Sequence, residues 1–302
     1  MSLRIATTRR ANRLYRSIKA HLLVHRTPVF TWLFYRLSAW LDRGLSGRKQ
    51  TDAERLTNVL WKQAYFADWN RRASDRVRVI TDHTVAYSSD DHRFPRGTVF
   101  DNSTSFRFNS KLYELLGRRE GLHFLDLGCA GGGLVRSYLE DGHLAVGLEG
   151  SDTSKRFRSG EWETITFHLF TCDITKPFQV VQSNGSQVQF DAVTAWEVFE
   201  HIGERDLGGL IDRIAAHVRP GGYFIGSIDL LPDGNPLTGA VYHKTLRPAD
   251  WWEAQFIERG FRIVHDHGFA PEDMVRGHGL SLKDWHPADG RGMHLVAQRL
   301  AK

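Results

Sequence analysis

The second half of the chain alternates short apolar segments of strand length with segments of helical periodicity. The strand-like segments are 123–128, 144–149, 167–173, 190–196 and 223–229. The clearest helical pattern between them covers 205–218, and residues 260–269 and 292–300 could supply two closing strands. Continuously apolar strands that alternate with helices are typical of a parallel sheet covered on both faces. Such sheets bind ligands beyond the carboxyl ends of their strands, where the strand order reverses.

Composition and cysteine spacing exclude several other classes of protein. The 302 residues are 41% hydrophobic and 25% charged, which is ordinary for one large globular domain or for one domain with an added helical part. The two cysteines, Cys129 and Cys172, form no CxxC pair and no Cys/His pattern, so the sequence predicts neither a disulfide framework nor a zinc module. A reducing compartment fits this usage best.

The positive charge is concentrated at the N-terminus. Residues 1–50 hold eleven basic residues and one acidic residue, a net charge of +10, whereas the rest of the chain carries −5. Residues 11–24 have apolar positions at helical spacing between basic residues, and residues 29–41 are strongly apolar and aromatic. This basic amphipathic arm could pack as a helical cap, because most amphipathic helices face a core.

Other functions of the arm stay open. Trp32, Phe34 and Trp40 could lie at a lipid boundary while arginines contact anionic headgroups, which would place the arm, residues 1–43, on a membrane surface. A nucleic-acid-binding arm and a mitochondrial transit peptide are further alternatives, although we expect no nucleic-acid partner. We predict a cytoplasmic protein, held at the inner face of the membrane if the arm is an anchor.

Three regions follow from these patterns. We predict the basic helical arm over 1–50, a helical and loop cap region over 51–120, and the main domain over 121–302. Within the cap region, residues 52–70 have a helical pattern and residues 88–104 are rich in the residues of loops. In the main domain, residues 183–186 (SNGS) have the composition of a hairpin tip.

A glycine-rich turn follows the first predicted strand. The segment FLDLGCAGGG places Asp126 at the strand's end and then Gly128, Gly131, Gly132 and Gly133 in a turn into the next helix. Glycines permit positive φ and allow a ligand close to the backbone. Glu149 ends the second strand 21 residues after Gly128, about where an acidic side chain accepts hydrogen bonds from ribose hydroxyls. This arrangement suits NAD as well as an adenosyl ligand.

Three features favour the adenosyl ligand. The spacing GCAGGG does not match the G-x-G-x-x-G pattern that places a helix N-terminus at a pyrophosphate. Asp126 could hold a cationic amine, which a dinucleotide lacks at that point. Asp173, after the third strand, could accept a hydrogen bond from an adenine amine.

These residues resemble the class I S-adenosylmethionine-dependent methyltransferases. DLGCAGG resembles their first motif, with Ala130 where glycine is commonest; GLEGSD resembles the ribose motif, CDI the adenine motif, FDAVTAWEVFEHI the fourth-strand motif and HVRPGGYFIGSI the fifth. The resemblance covers about 105–300. It implies an α/β fold, a Rossmann-like doubly wound sheet of about seven mostly parallel strands, here with an N-terminal helical extension.

The resemblance also implies a set of cofactor-binding residues for S-adenosyl-L-methionine. Within the class, EVFEHI resembles the branch of ubiquinone-pathway and sugar O-methyltransferases, in which an arginine before the first motif often pairs with the methionine carboxylate; Arg107 matches that position. The implied cofactor-binding residues are Arg107, Asp126, Gly128, Gly131, Gly132, Glu149, Asp173, Ile174 and Trp196. The segments RGTVFDNSTSFRFN and YHKTLRPADWW further resemble methyltransferases of polysaccharide assembly.

Methyl transfer to a hydroxyl requires alignment of the acceptor and removal of its proton. His201, just past the fourth strand, is the predicted catalytic base, and a solvent-facing histidine at a helix start is the alternative. His243 is the second candidate base, and we assign Glu200, Tyr242 and His243 to the substrate site. We predict no metal site, because the histidines show no recognisable ligand spacing.

The sequence thus predicts an S-adenosylmethionine-dependent methyltransferase that acts on a hydroxyl of a small-molecule or carbohydrate acceptor, which could be lipid-linked. One alternative is an N- or RNA-methyltransferase that uses the basic arm. Another is a Rossmann-type protein that binds the cofactor without turnover.

Overall fold

The computed structural model describes residues 77–301, apart from 119, 238 and 280–284. The predicted arm over 1–50, the possible membrane contact through 1–43 and the helix over 52–70 lie outside the described residues, so these remain predictions, as do the region boundaries. Among the described residues, no helix has the length and apolar character that crossing a membrane requires.

A seven-stranded sheet forms the centre of the described region. In chain order the strands are β1 (Arg78–Ile80), β2 (His123–Leu127), β3 (Leu144–Glu149), β4 (Leu169–Thr171), β5 (Gln179–Val181), β6 (Phe190–Trp196), β7 (Val218–Asp229), β8 (Gly234–Asn235), β9 (Ala240–Val241), β10 (Phe261–Ile263) and β11 (Gly292–Arg299). The large sheet has the order β10-β11-β7-β6-β2-β3-β4. The five strands from β7 to β4 are parallel, and β11 runs antiparallel to both β7 and β10.

Helices connect these strands. They are α1 (Asp90–Arg93), α2 (Arg96–Phe100), α3 (Phe106–Leu115), α4 (Gly133–Glu140), α5 (Thr153–Phe157), α6 (Glu204–His217) and α7 (Ala249–Ile257). The longest of them, α6, confirms the helical pattern of 205–218. The predicted doubly wound, mostly parallel α/β fold is confirmed.

The strand order reverses beside β2. From β2 the chain continues outward through β3 to β4, and it then returns to the other side of β2 to form β6 and β7. This reversal makes the carboxyl ends of β2 and β6 the expected ligand site. Asp126 and Thr194 face one another across that boundary, because they are paired in the register of β2 and β6.

Both faces of the sheet are buried. Phe124, Ala145 and Ala192 are neighbours on one face, where they join a core that includes residues of α3 and α4. The next residues along each strand, such as Leu125, belong to a second core with α6 and α7 on the opposite face. Burial of each such Val, Leu or Phe side chain stabilises the fold by roughly 1.5–3 kcal/mol. This two-sided burial explains why the strands are apolar throughout and show no alternation.

Some local expectations need correction. The segment 88–104, expected to be a loop, contains the short helices α1 and α2; Ser89 caps α1 by accepting a hydrogen bond from Asp91 N–H at 3.2 Å. The strand predicted over 223–229 is β7, which begins earlier, at Val218. The predicted hairpin at 183–186 is confirmed, since Gln182 N–H donates to the Ser186 carbonyl at 2.8 Å and Val188 N–H donates back to Val180.

Candidate active site

The glycine-rich turn joins β2 to α4 with three residues in the left-handed region. Gly128 has φ 72°, Ala130 has φ 47° and Gly132 has φ 86°. The N–H groups of Gly128 and Cys129 both donate to the Leu148 carbonyl of β3. Ala130 therefore holds a backbone conformation that favours glycine, at the position where glycine is commonest in the motif it resembles.

The backbone of residues 101–103 packs against this turn. Gly131 N–H donates to the Asp101 carbonyl at 2.8 Å, and a Cβ at Gly131 would lie 2.6 Å from that oxygen. A Cβ at Gly133 would lie 2.5 Å from the Asn102 carbonyl. The sequence prediction assigned these glycines to the approach of a ligand, whereas the structure gives a second reason for them: they admit the backbone of residues 101–103.

Asp126 is a buried carboxylate at the end of β2. Its side chain is 4% exposed and accepts a 2.7 Å hydrogen bond from the Thr194 hydroxyl of β6. Burial raises the pKa of Asp126 to about 7; the Thr194 hydrogen bond opposes this shift, and the negative charges of Asp101 and Glu149 add to it.

Glu149 occupies the equivalent position at the end of β3. Its carboxylate is 6% exposed and accepts hydrogen bonds of 2.9 Å from the backbone N–H groups of Ser151 and Ala130. Burial raises the pKa of Glu149 to about 7, although these two hydrogen bonds lower it. Glu149 thus ties the end of β3 to the glycine-rich turn.

These two carboxylates fit a positively charged cofactor. Among the described residues, neither Asp126 nor Glu149 forms an ion pair with a basic side chain. Uncompensated buried carboxylates are costly to ionise, and a cation bound beside them would remove that cost. S-adenosylmethionine carries an ammonium and a sulfonium group and matches this requirement.

The other predicted cofactor residues lie around the same edge. Asp173, after β4, accepts hydrogen bonds from the Thr175 N–H at 3.0 Å and hydroxyl at 2.6 Å, so it caps its own turn. The Ile174 side chain is buried in the core that contains α6. The Trp196 ring packs edge-to-face on Phe108, with ring centroids 4.9 Å apart. None of these contacts tests the predicted cofactor role.

Two ion pairs join the segment before the glycine-rich turn to residues near 275. The Arg107 guanidinium lies 2.9 Å from the Asp273 carboxylate, and Arg276 pairs with Asp101. The predicted partner of Arg107 is the methionine carboxylate of the cofactor, which would have to compete with Asp273. We call these two pairs the 101–276 clasp.

Glu200 lies beneath the rim of the sheet, in the turn after β6. The side chain has 0% exposure, and Oε1 accepts a 3.0 Å hydrogen bond from the Asp229 N–H at the end of β7. Oε2 is buried and has no hydrogen-bond partner in the described part of the chain. Burial raises the pKa of Glu200 to about 8. Because the Glu200 side chain is buried, a substrate could contact it only by inserting a group into the protein interior.

His201 lies beside Glu200 and close to Asp91. Its Nδ1 atom is 2.9 Å from Asp91 Oδ2, an acidic partner from α1 that the sequence prediction missed. Burial lowers the pKa of His201, but the hydrogen bond and the charge of Asp91, together with Glu200 and Asp233, raise it overall to about 9. Asp91 therefore favours the protonated form of His201.

The loop after β7 brings His243 to the same place. The His243 and His201 ring centroids are 4.9 Å apart, and His243 Nδ1 lies 2.5 Å from the Leu231 carbonyl. Tyr242 lies beside them, with its ring against Phe94. The structure thus assembles His201, His243 and Glu200, which the sequence assigned separately to base and substrate functions. It leaves those functions untested.

A cavity of about 810 Å³ opens at the same edge of the sheet, by the end of β7 and the start of β11. Its lining includes Leu230, Phe269 and Met293 among apolar residues and His267 and His294 among polar ones. Leu230 of the lining directly precedes Leu231, whose carbonyl contacts His243. A mixed apolar and polar lining is typical of small-molecule sites.

The doubly wound fold, the strand reversal and the acidic strand ends together define a Rossmann-like methyltransferase domain of class I, the class that uses S-adenosylmethionine. A family model described as a methyltransferase domain matches residues 102–280, and the chain belongs to this family. The recognition made from the sequence motifs is therefore confirmed.

Individual relatives are more distant. The chain is similar to a ubiquinone biosynthesis O-methyltransferase of Brucella ovis, with 28% identity over 167 residues that cover 49% of this chain and 63% of the relative. An enzyme with the same description from Leptothrix cholodnii is 24% identical over 62% of this chain and 81% of the relative. A solved N1-methyltransferase from Burkholderia thailandensis aligns with 15% identity and a TM-score of 0.46, over 70% of this chain and 84% of that one.

Proposed function

We propose that the protein transfers a methyl group from S-adenosylmethionine to a hydroxyl of a small-molecule or carbohydrate acceptor. The observation that carries this proposal is the pair of buried carboxylates, Asp126 and Glu149, at adjacent strand ends beside the strand reversal, without a basic partner among the described residues. The relatives described as ubiquinone biosynthesis O-methyltransferases support a hydroxyl acceptor.

Each carboxylate has a distinct part in this proposal. Asp126 accepts a hydrogen bond from the cofactor ammonium group, and Glu149 accepts from the ribose hydroxyls while it keeps its bonds to the turn. When bound, S-adenosylmethionine supplies a methyl group that is electrophilic because its sulfur is positively charged. The chain needs only to hold this group in line with the acceptor oxygen and to exclude competing water.

The acceptor reaches the rim through the cavity beside β7 and β11, and its hydroxyl meets the His201–His243 pair. Transfer would form a bond between the acceptor oxygen and the methyl carbon and break the carbon–sulfur bond, whose electron pair would pass to sulfur. The hydroxyl proton would pass to an unprotonated ring nitrogen of the His201–His243 pair. Such assistance contributes typically 10²- to 10⁴-fold to the rate.

Calorimetry with S-adenosylmethionine tests the cofactor site, and an acceptor panel tests the reaction. The panel contains phenols, free and lipid-linked sugars, amines and a transcribed RNA, with methylated products detected by mass spectrometry. Methylation of a phenol or sugar hydroxyl is the expected result. If only the amines or the RNA are methylated, the proposed hydroxyl acceptor is wrong. If the protein binds S-adenosylmethionine but forms no product, the non-catalytic alternative is favoured.

A further inference from the structure

The cluster of Glu200, His201 and His243 has the composition of a metal site. One ligand atom from each of the three side chains lies within 4.8 Å of the others. Donor atoms around a tetrahedral zinc ion lie roughly 3.4 Å apart, so small side-chain adjustments would bring all three into coordination range. Two imidazoles and a carboxylate are also the three protein ligands of many catalytic zinc sites, which keep one open position.

The unsatisfied oxygen of Glu200 is independent support for a ligand. A buried polar atom without a partner costs free energy, and native proteins rarely leave one. Oε1 of this carboxylate is fixed by the Asp229 N–H, while Oε2 has no partner in the described part of the chain. A cation at the centre of the cluster would satisfy Oε2 and compensate the buried charge at once.

Both histidines have an acceptor oxygen close to one ring nitrogen, as metal-ligating histidines usually do. Histidine ligands generally donate their other ring N–H to a carboxylate or a backbone carbonyl, which fixes the tautomer. His201 has Asp91 Oδ2 at 2.9 Å from Nδ1, and His243 has the Leu231 carbonyl at 2.5 Å from Nδ1. With Nδ1 beside these acceptors, Nε2 of each ring would bind the cation.

We propose that Glu200, His201 and His243 bind a divalent transition-metal ion, Zn²⁺ first among them, with an open position that faces the acceptor. This replaces the expectation of no metal site, which rested on sequence spacing; His243 lies in a loop remote from EVFEH. The inference rests on the proposed function only for its purpose: a cation in this position would lower the pKa of a bound hydroxyl. In the metal-bound protein this effect would replace direct acceptance of the proton by the two histidine rings.

The test is calorimetric titration of chelator-treated full-length protein with Zn²⁺. We expect one ion per chain and at least tenfold weaker binding in Glu200→Gln and in His243→Ala. His265→Ala is the matched control, because His265 is exposed and remote in sequence from the cluster, and it should bind Zn²⁺ like the native protein. Circular dichroism melting confirms that each variant is folded.

A second measurement distinguishes the cluster from surface binding. Co²⁺ in place of Zn²⁺ should give the visible absorption bands of a tetrahedral nitrogen and oxygen site, and these bands should vanish in Glu200→Gln. Absent bands, or variants that bind Zn²⁺ as tightly as the native chain, would overturn the proposal.

The failure of this inference is separable from failure of the proposed function. Glu200→Gln should keep native affinity for S-adenosylmethionine, since Asp126 and Glu149 are intact. If the native protein binds the cofactor but no metal ion, only the metal site is wrong. If it binds the metal ion but no cofactor, the proposed methyl transfer is wrong while the metal site stands.

Discussion

The two halves of the active-site edge are built in different ways. The cofactor half lies at the ends of β2 and β3, where Asp126, the glycine-rich turn and Glu149 come from one short stretch of sequence. The rim half lies past β6 and is assembled from Asp91, the Glu200–His201 turn and His243, which are far apart in sequence. The first half is therefore readable as a motif, whereas the second exists only once the chain has folded.

The largest effect should come from the rim half. Replacement His201→Ala should lower turnover by roughly 100-fold or more, because the acceptor loses assistance in releasing its proton. Cofactor affinity, measured by calorimetry, should stay within about twofold of native, since the two halves are separate. The exposed His265→Ala is again the control. If turnover stays close to native, the protein catalyses the reaction only by aligning the cofactor with the acceptor.

Removal of Glu149 tests the cofactor half. Glu149→Ala should weaken S-adenosylmethionine binding by about 1–3 kcal/mol, because the ribose hydroxyls lose a charged acceptor. The same change also frees the N–H groups of Ala130 and Ser151, so Glu149→Gln, which can still accept hydrogen bonds, should lose less. Calorimetry on both variants decides the matter: unchanged affinity in Glu149→Ala would remove this residue from the site.

The pH dependence of binding should report the same two carboxylates. Asp126 and Glu149 both have a pKa raised to about 7 without the cofactor, and a cation favours their ionised forms. The affinity for S-adenosylmethionine should therefore be constant well above pH 7. Below pH 7 the affinity should fall by up to about tenfold per pH unit for each carboxylate that must lose its proton on binding.

Calorimetry in buffers of different ionisation enthalpy will count the protons released on binding. Cys129 and Tyr138 should not contribute, since burial raises the pKa of both well above their usual values. Asp126→Asn should remove one proton from the count. A binding constant that is flat from pH 5 to pH 8 would contradict a cationic ligand beside these groups.

The smallest effect should come from Ala130. Ala130→Gly should raise the free energy of unfolding by up to about 1 kcal/mol, because φ 47° strains an alanine more than a glycine. The matched control is Ala216→Gly in the exposed part of α6, which should lower stability by about the same amount. Denaturant titration measures both, and changes of the same sign would contradict the assigned strain.

The sequence determined the sheet and the cofactor half because both depend on local pattern. Apolar strand runs, the helical period of α6 and the glycine spacing are all properties of neighbouring residues. The approach of His243 to Glu200 and His201 was not predicted because His243 arrives by tertiary packing, and Asp91 was missed because its segment was taken for a loop. The packing of residues 101–103 on Gly131 was missed for the same reason: a glycine does not reveal which backbone approaches it.

The 101–276 clasp has a consequence for the order in which the protein matures on the ribosome. The strands and turn of the cofactor half have all been synthesised once translation passes β4, but a domain generally folds as a unit. The partners of Asp101 and Arg107, however, are Arg276 and Asp273. The ion pairs that hold the segment over the glycine-rich turn can therefore form only after most of the domain has been translated.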